Sequence, residues 1–197
     1  MEMDQGQARE ILGQVRQAAR DMQAHASYAI AGPILALWGA IWITCFTITQ
    51  FAPANAGWGW LAGNAFGLVG SYLASRRRSP VADDTELSRR LRRKLFVFWL
   101  ALFVFGDIWL ALLWPWTGAQ LGVFAVTLVM FAYIVMGLWL DMPFLAWLGV
   151  LVTILAAGGY VGCLLAAQIR GYLNLWVGLT GGGALLAAGI YLMRRWR

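Results

Sequence analysis

The chain has 197 residues, 61% of them hydrophobic and 12% charged, with a formal net charge of +6. A soluble domain carries about a quarter charged residues, so a water-soluble globule is excluded and the apolar excess is expected to face lipid. The single histidine, His25, excludes a histidine-rich metal site or a bis-histidine haem, and no cofactor is expected.

In chain order, the N-terminus reads "QAREILGQVRQAARDMQAHA" and places Ala8, Ile11, Leu12, Val15, Ala18, Ala19 and Met22 on one stripe of a helix. A helix lying on a membrane surface is rich in Lys and Arg and carries Trp or Phe on its apolar face. This stripe has no aromatic residue, and the charges through Asp21 sum to minus one. The composition favours packing on protein over packing on lipid. The protein surface is the chain's own cytoplasmic loop, a second protomer in a homo-oligomer, or a soluble cytoplasmic partner.

Six apolar stretches follow, at about 28–51, 58–75, 95–114, 121–140, 144–167 and 172–193. Each comes close to the roughly 20 residues that cross a bilayer as a helix. "APANAG" (52–57) and "PWTGAQ" (115–120) separate them as uncharged turns, and "DMP" (141–143) is a tight hairpin in which Asp141 is expected to cap the fifth helix. The second stretch is the shortest and richest in glycine. Twelve tryptophans agree with membrane interfaces on either side.

The loop between the second and third stretches holds Arg76, Arg77, Arg78, Arg89, Arg90, Arg92, Arg93 and Lys94. With six spans, these share one side with Arg9, Arg16, Arg20, Arg194, Arg195 and Arg197, leaving only Arg170 opposite. Basic loops stay in the cytoplasm, so both termini are expected there. No small-residue cleavage pattern follows the first 27 residues, and the first span is expected to act as its own insertion signal. The expected fold is an all-α, polytopic transmembrane bundle in the cell inner (plasma) membrane. Its parts are a cytoplasmic amphipathic helix (1–27), a first transmembrane hairpin (28–75), a basic cytoplasmic loop (76–94) and a four-span region with a basic tail (95–197). "LWGAIW" (37–42) and "VFGDIW" (104–109) align at an offset of 67, which suggests three parallel helical hairpins.

Four features are candidates for function. Asp107 stands about seven residues from the outer end of its span, roughly 10 Å deep at 1.5 Å per residue. A carboxylate there costs around 3 kcal/mol on insertion scales, so it is expected to face the bundle interior or water and is a functional candidate by default. Its helix face carries Trp99, Phe103, Ala111 and Trp114, an aromatic strip suited to an organic cation. Counting the same depth into the other spans reaches Thr44, Asn64, Thr127, Tyr160 and Thr180. This layer reads either as a closed hydrogen-bond network around a protonated Asp107 or as an outward-facing polar cavity.

The third candidate is the face formed by Gly59, Gly63 and Gly67, a double G-x-x-x-G that admits a neighbouring helix backbone. The fourth is the basic loop, where Asp84 or Thr85 is expected to cap the third helix and the arginines are expected to bind anionic lipid at about 1 kcal/mol each. Nucleic acid is not expected, because no stacking aromatics or recognisable module accompany the basic residues. Cys45 and Cys163 read as small buried hydrophobes. No carboxylate pairs with Asp107, and no G-x-S-x-G, Walker loop or His–Ser arrangement occurs, so no enzymatic activity is expected.

"GPILALWGAIW" near the start and "GGGALLAAGIYLMRRWR" at the end resemble small six-span proteins of bacterial inner membranes, a likeness of layout that implies no activity. In architecture the chain is similar to permease subunits of ATP-binding-cassette exporters, whose cytoplasmic helix and first inner loop contact the ATPase. It is shorter, and its loop at 169–172 leaves no room for their outer re-entrant segment. Three functions follow as expectations: a non-enzymatic membrane module engaging a cytoplasmic partner, a small transporter or binding protein for a proton or organic cation centred on Asp107, and a lipid-binding structural or oligomeric protein.

Overall fold

A computed structural model describes residues 5–77, 86–115 and 117–195. Among the described residues every regular element is helical: α1 (Gln5–Phe51), α2 (Ala56–Arg77), α3 (Glu86–Leu112), α4 (Gly118–Trp139), α5 (Pro143–Leu165), α6 (Leu173–Val177) and α7 (Gly183–Arg195). A π-helical turn, Gly178–Gly182, joins α6 and α7 end to end. Five helical segments are long and apolar enough to cross a membrane: Ile30–Phe51, Arg93–Leu112, Gly118–Trp139, Pro143–Leu165 and Leu173–Arg195. The chain is therefore a helical membrane protein. Helix α2 has 22 residues, enough for a crossing, but five glycines, two serines and Asn64 dilute its apolar character, and it is not among the five.

Helix α1 runs without interruption for 47 residues, about 70 Å at 1.5 Å per residue. The expected boundary between residues 27 and 28 is not a break, because the N-terminal segment continues the first span as a single helix. Within that segment Ile11, Gly13 and Gln14 are exposed. At its base Tyr28 is buried, and a hydrogen bond from the Phe144 backbone N–H ties α1 to the start of α5.

Packing is closest where glycine lets backbones touch. A Cβ on Gly39 would lie 2.6 Å from the Gly182 carbonyl oxygen, and one on Gly189 would lie 2.6 Å from that of Gly32. Helices α1 and α7 thus meet along a seam in which the π turn lies on Gly39, Trp42 and Phe46. The α4–α5 pair is built alike: Cβ atoms on Gly137 and Gly149 would meet Ala146 Cβ at 2.8 Å and the Met130 carbonyl oxygen at 2.7 Å. Between the two pairs lie Val126, Met130, Val152, Val177 and Leu185, all fully buried. Lipid offers apolar side chains no reason to associate, so this close contact supplies the dispersion energy that holds the bundle.

The remaining two helices flank this body. Helix α2 rests on α1, and α3 rests on α4. The segment expected as a loop at 76–94 is helical at both ends, since α2 reaches Arg77 and α3 begins at Glu86. The expected cap at Asp84 or Thr85 lies outside the described residues. Asp141 requires a correction. It adopts φ 53°, a left-handed conformation that Asp tolerates better than most residues, and the Met142 N–H then returns to the Gly137 carbonyl at 2.7 Å. Asp141 therefore terminates α4, whereas the N-cap of α5 is Met142, with no side-chain cap.

Candidate functional site

Helix α3 presents Asp107. Its strip towards α4 comprises Trp99, the buried Leu102 and Gly106, where a Cβ would meet Leu128 Cδ2 at 2.6 Å. Only 11% of the most apolar 18 residues of Arg93–Leu112 is buried, and Phe96, Leu100, Val104, Phe105 and Ile108 are exposed. Asp107 follows Gly106 by one residue, about 100° around the helix, and is exposed beside the bundle. Among the described residues none hydrogen-bonds or ion-pairs with its carboxyl group. Of the aromatic strip, Trp99 stacks on Phe103 at 5.8 Å and meets Tyr133 of α4 edge-on at 6.4 Å, while Trp114 is exposed just past the C-terminal end of α3.

The depth-matched polar residues divide. Thr44, Thr127 and Thr180 each donate to their own helix, to the carbonyls of Ala40 (2.9 Å), Val123 (2.9 Å) and Trp176 (2.7 Å). This back-bonding satisfies a hydroxyl without any neighbour. Thr44 and Asn64 are exposed. Thr127 and Tyr160, by contrast, come together in one open cleft of about 420 Å³ between the C-terminal ends of α3 and α5 and the N-terminal half of α4. Leu110, Leu113 and Pro115 form one wall, and Gln120, Leu121, Val123 and Phe124 form another. Asp107 is not a lining residue, but it stands three residues, about one turn, deeper than Leu110 on the same face of α3.

The polar end of the cleft was hidden in "PWTGAQ". Thr117 and Gln120 form a capping box: the Gln120 N–H donates to Thr117 Oγ1 (3.2 Å), and the Thr117 N–H donates to Gln120 Oε1 (2.8 Å). The T-x-x-Q spacing is the signal that sequence reading passes over.

The glycine face of α2 lies along α1. Cβ atoms on Gly59, Gly63 and Gly67 would meet Ile48 Cγ2 and Cδ1, Cys45 Sγ and the Trp38 ring. Two hydrogen bonds reinforce the hairpin, from Trp38 Nε1 to Ser71 Oγ (3.0 Å) and from Trp60 Nε1 to Thr49 Oγ1 (3.1 Å). Of the basic residues, Arg76 and Arg77 end α2, and Arg89, Arg90, Arg92, Arg93 and Lys94 fall in the first turns of α3, while Arg78 lies outside the described residues. Arg90, Arg93 and Lys94 are exposed.

Sequence reading also misses the two pairs Gly32/Gly39 and Gly182/Gly189. Each is spaced by seven, two turns apart on one helix face. Among the described residues no cluster of His, Cys, Asp and Glu could hold a metal ion. No family model matches this chain, and no curated protein or solved structure is similar to it.

Proposed function

We propose that the protein is a non-enzymatic, six-span membrane module of the cell inner membrane that engages a cytoplasmic partner through its N-terminal helix and basic segment. One observation carries this reading: α1 is a single helix from Gln5 to Phe51, so its N-terminal stretch joins directly to the seam with α7. A segment attached in this way transmits force and orientation, which a flexible tail does not. The sixth span is α2, whose glycines from Gly59 to Gly70 follow α1 antiparallel from Ile48 to Leu37, at the depth of the first span. With six spans, all basic residues except Arg170 share the side of the N-terminal stretch, which makes that side cytoplasmic.

The test is site-specific photocrosslinking in intact cells. A crosslinker at Ile11 or Met22, on the apolar stripe, should give one discrete protein adduct; at Gln14, on the polar face, it should give none. Breaking the helix with Ala19→Pro should abolish the adduct, and Asp107→Asn should leave it unchanged. Adducts with lipid alone would overturn the proposal.

The exposed carboxyl of Asp107 beside Trp99 and Phe103 favours a second reading, a proton or organic-cation site. Labelling by a hydrophobic carbodiimide that requires Asp107 and titrates with pH is its expected signature.

A further inference from the structure

We infer that the cleft between α3, α4 and α5 is a binding site for a membrane lipid ester, taking one acyl chain along its apolar walls and the ester carbonyl at its polar end. Its volume of about 420 Å³ falls in the range that encloses small-molecule ligands, roughly 300–1,000 Å³. Leu110, Leu121 and Phe124 supply walls with no polar atoms beyond the backbone.

The hydrogen-bond inventory selects the headgroup. Gln120 Oε1 already accepts from the Thr117 N–H and Oγ1, so the side chain has its amide N–H groups left to offer. Thr127 spends its only proton on the carbonyls of Val123 and Phe124. Among the described residues the hydroxyl of Tyr160 has no hydrogen-bond partner. The cleft therefore offers two donors at different depths, Gln120 at its mouth and Tyr160 at the level of Thr127. An amide or hydroxyl donor facing hydrocarbon gains most from an acceptor, and below the charged phosphates the ester carbonyl is the acceptor a lipid carries.

Depth agrees with this assignment. Gln120 lies in the first turn of α4, at the membrane boundary where ester groups sit, and Thr127 lies seven residues deeper, about 10 Å along the helix. An ester held at Gln120 sends its chain inward past Leu121 and Phe124 towards Thr127. If Asp107 one turn below Leu110 were the anchor, the preferred headgroup would instead be an amine.

The experiment uses the full chain in lipid nanodiscs with three diazirine-bearing hexadecyl probes: a methyl ester, an amine and a free acid. The ester should label the α3–α4 hairpin and the segment around Tyr160 saturably, and α2 only at background. Tyr160→Phe removes the hydroxyl alone, and Gln120→Glu keeps the capping acceptor while removing the amide donors. Gln120→Glu should weaken ester labelling about fivefold, the loss expected of one neutral hydrogen bond, whereas Tyr160→Phe, at the level of Thr127 below the ester, should change it less than twofold. Unsaturable labelling spread evenly over α2 and α4, indifference to Gln120→Glu, or competition won by the amine would each overturn the assignment.

Discussion

Helices α7 and α3 are both apolar spans, yet they are held in opposite ways. The most apolar 18 residues of Leu173–Arg195 are 44% buried and that span touches α1 backbone to backbone, whereas those of Arg93–Leu112 are 11% buried and lean on α4 through a narrow strip. Mean apolarity does not explain the difference, because the poorly buried helix is no less apolar. In lipid, an apolar side chain is equally content outside the bundle, and only surfaces that approach closely gain from meeting. Glycine at two-turn spacing permits that approach on α1 and α7. On α3 the single Gly106 permits it at one level only. The molecule is thus a solid body of α1, α4, α5 and α6–α7, with α2 seated on α1 along its glycine face and α3 as the one lightly attached flank.

The largest expected effect comes from breaking the seam. Gly39→Ala places a methyl against the backbone of Gly182 and Leu186, which cannot swing away, and should lower stability by about 3 kcal/mol. Detergent-titrated unfolding followed by circular dichroism would measure it, and an unchanged midpoint would remove the seam from the account. Next is Trp176→Phe, which deletes the indole hydrogen bond to the Leu155 carbonyl (2.9 Å) that lies across Gly159. A loss of about 1 kcal/mol in the same assay is expected. Gly106→Ala sharpens the comparison, since the opposing atom is the mobile tip of Leu128 rather than backbone. It should cost about 0.5 kcal/mol, several times less than the same change at Gly39. Smallest is Phe105→Ala on the outer side of α3, which lipid can refill, with a shift within about 0.5 kcal/mol of zero. A large loss there would mean that α3 is covered in the membrane by something that recognises it.

The helical membrane class was legible from composition, and the helix ends that turn chemistry marks were legible to within a few residues, as for the fourth stretch, expected at 121–140 and found as α4 at Gly118–Trp139. The starts expected at 28 and 95, which no turn marks, instead lie inside α1 and α3. The glycine face of α2 was legible as a face, but its partner was not, because one helix's periodicity says nothing about which neighbour occupies it. Depth was legible in the same limited sense. Thr44, Thr127 and Tyr160 can be placed at one level by counting from span ends, but the direction each faces around its helix follows from packing. That direction separates the exposed Thr44 from Thr127 and Tyr160 in their shared cleft. Threonine also misleads for a chemical reason, since its hydroxyl bonds its own helix carbonyl and needs no site.

Pro33 lies inside α1, just past the start of the first span at Ile30. Its ring withholds the N–H that the Ala29 carbonyl would otherwise receive, which softens the helix at that level. Gly32 meets Gly189 of α7 and Tyr28 is tied to Phe144 of α5, while the 23 residues from Gln5 to Ser27 extend beyond these contacts as a lever of about 34 Å. A swing of about 10° at such a fulcrum carries the tip roughly 6 Å while displacing atoms beside Tyr28 by less than 1 Å. The mechanical advantage runs in the other direction too: a weak pull at the tip arrives at the fulcrum as a torque multiplied by that length.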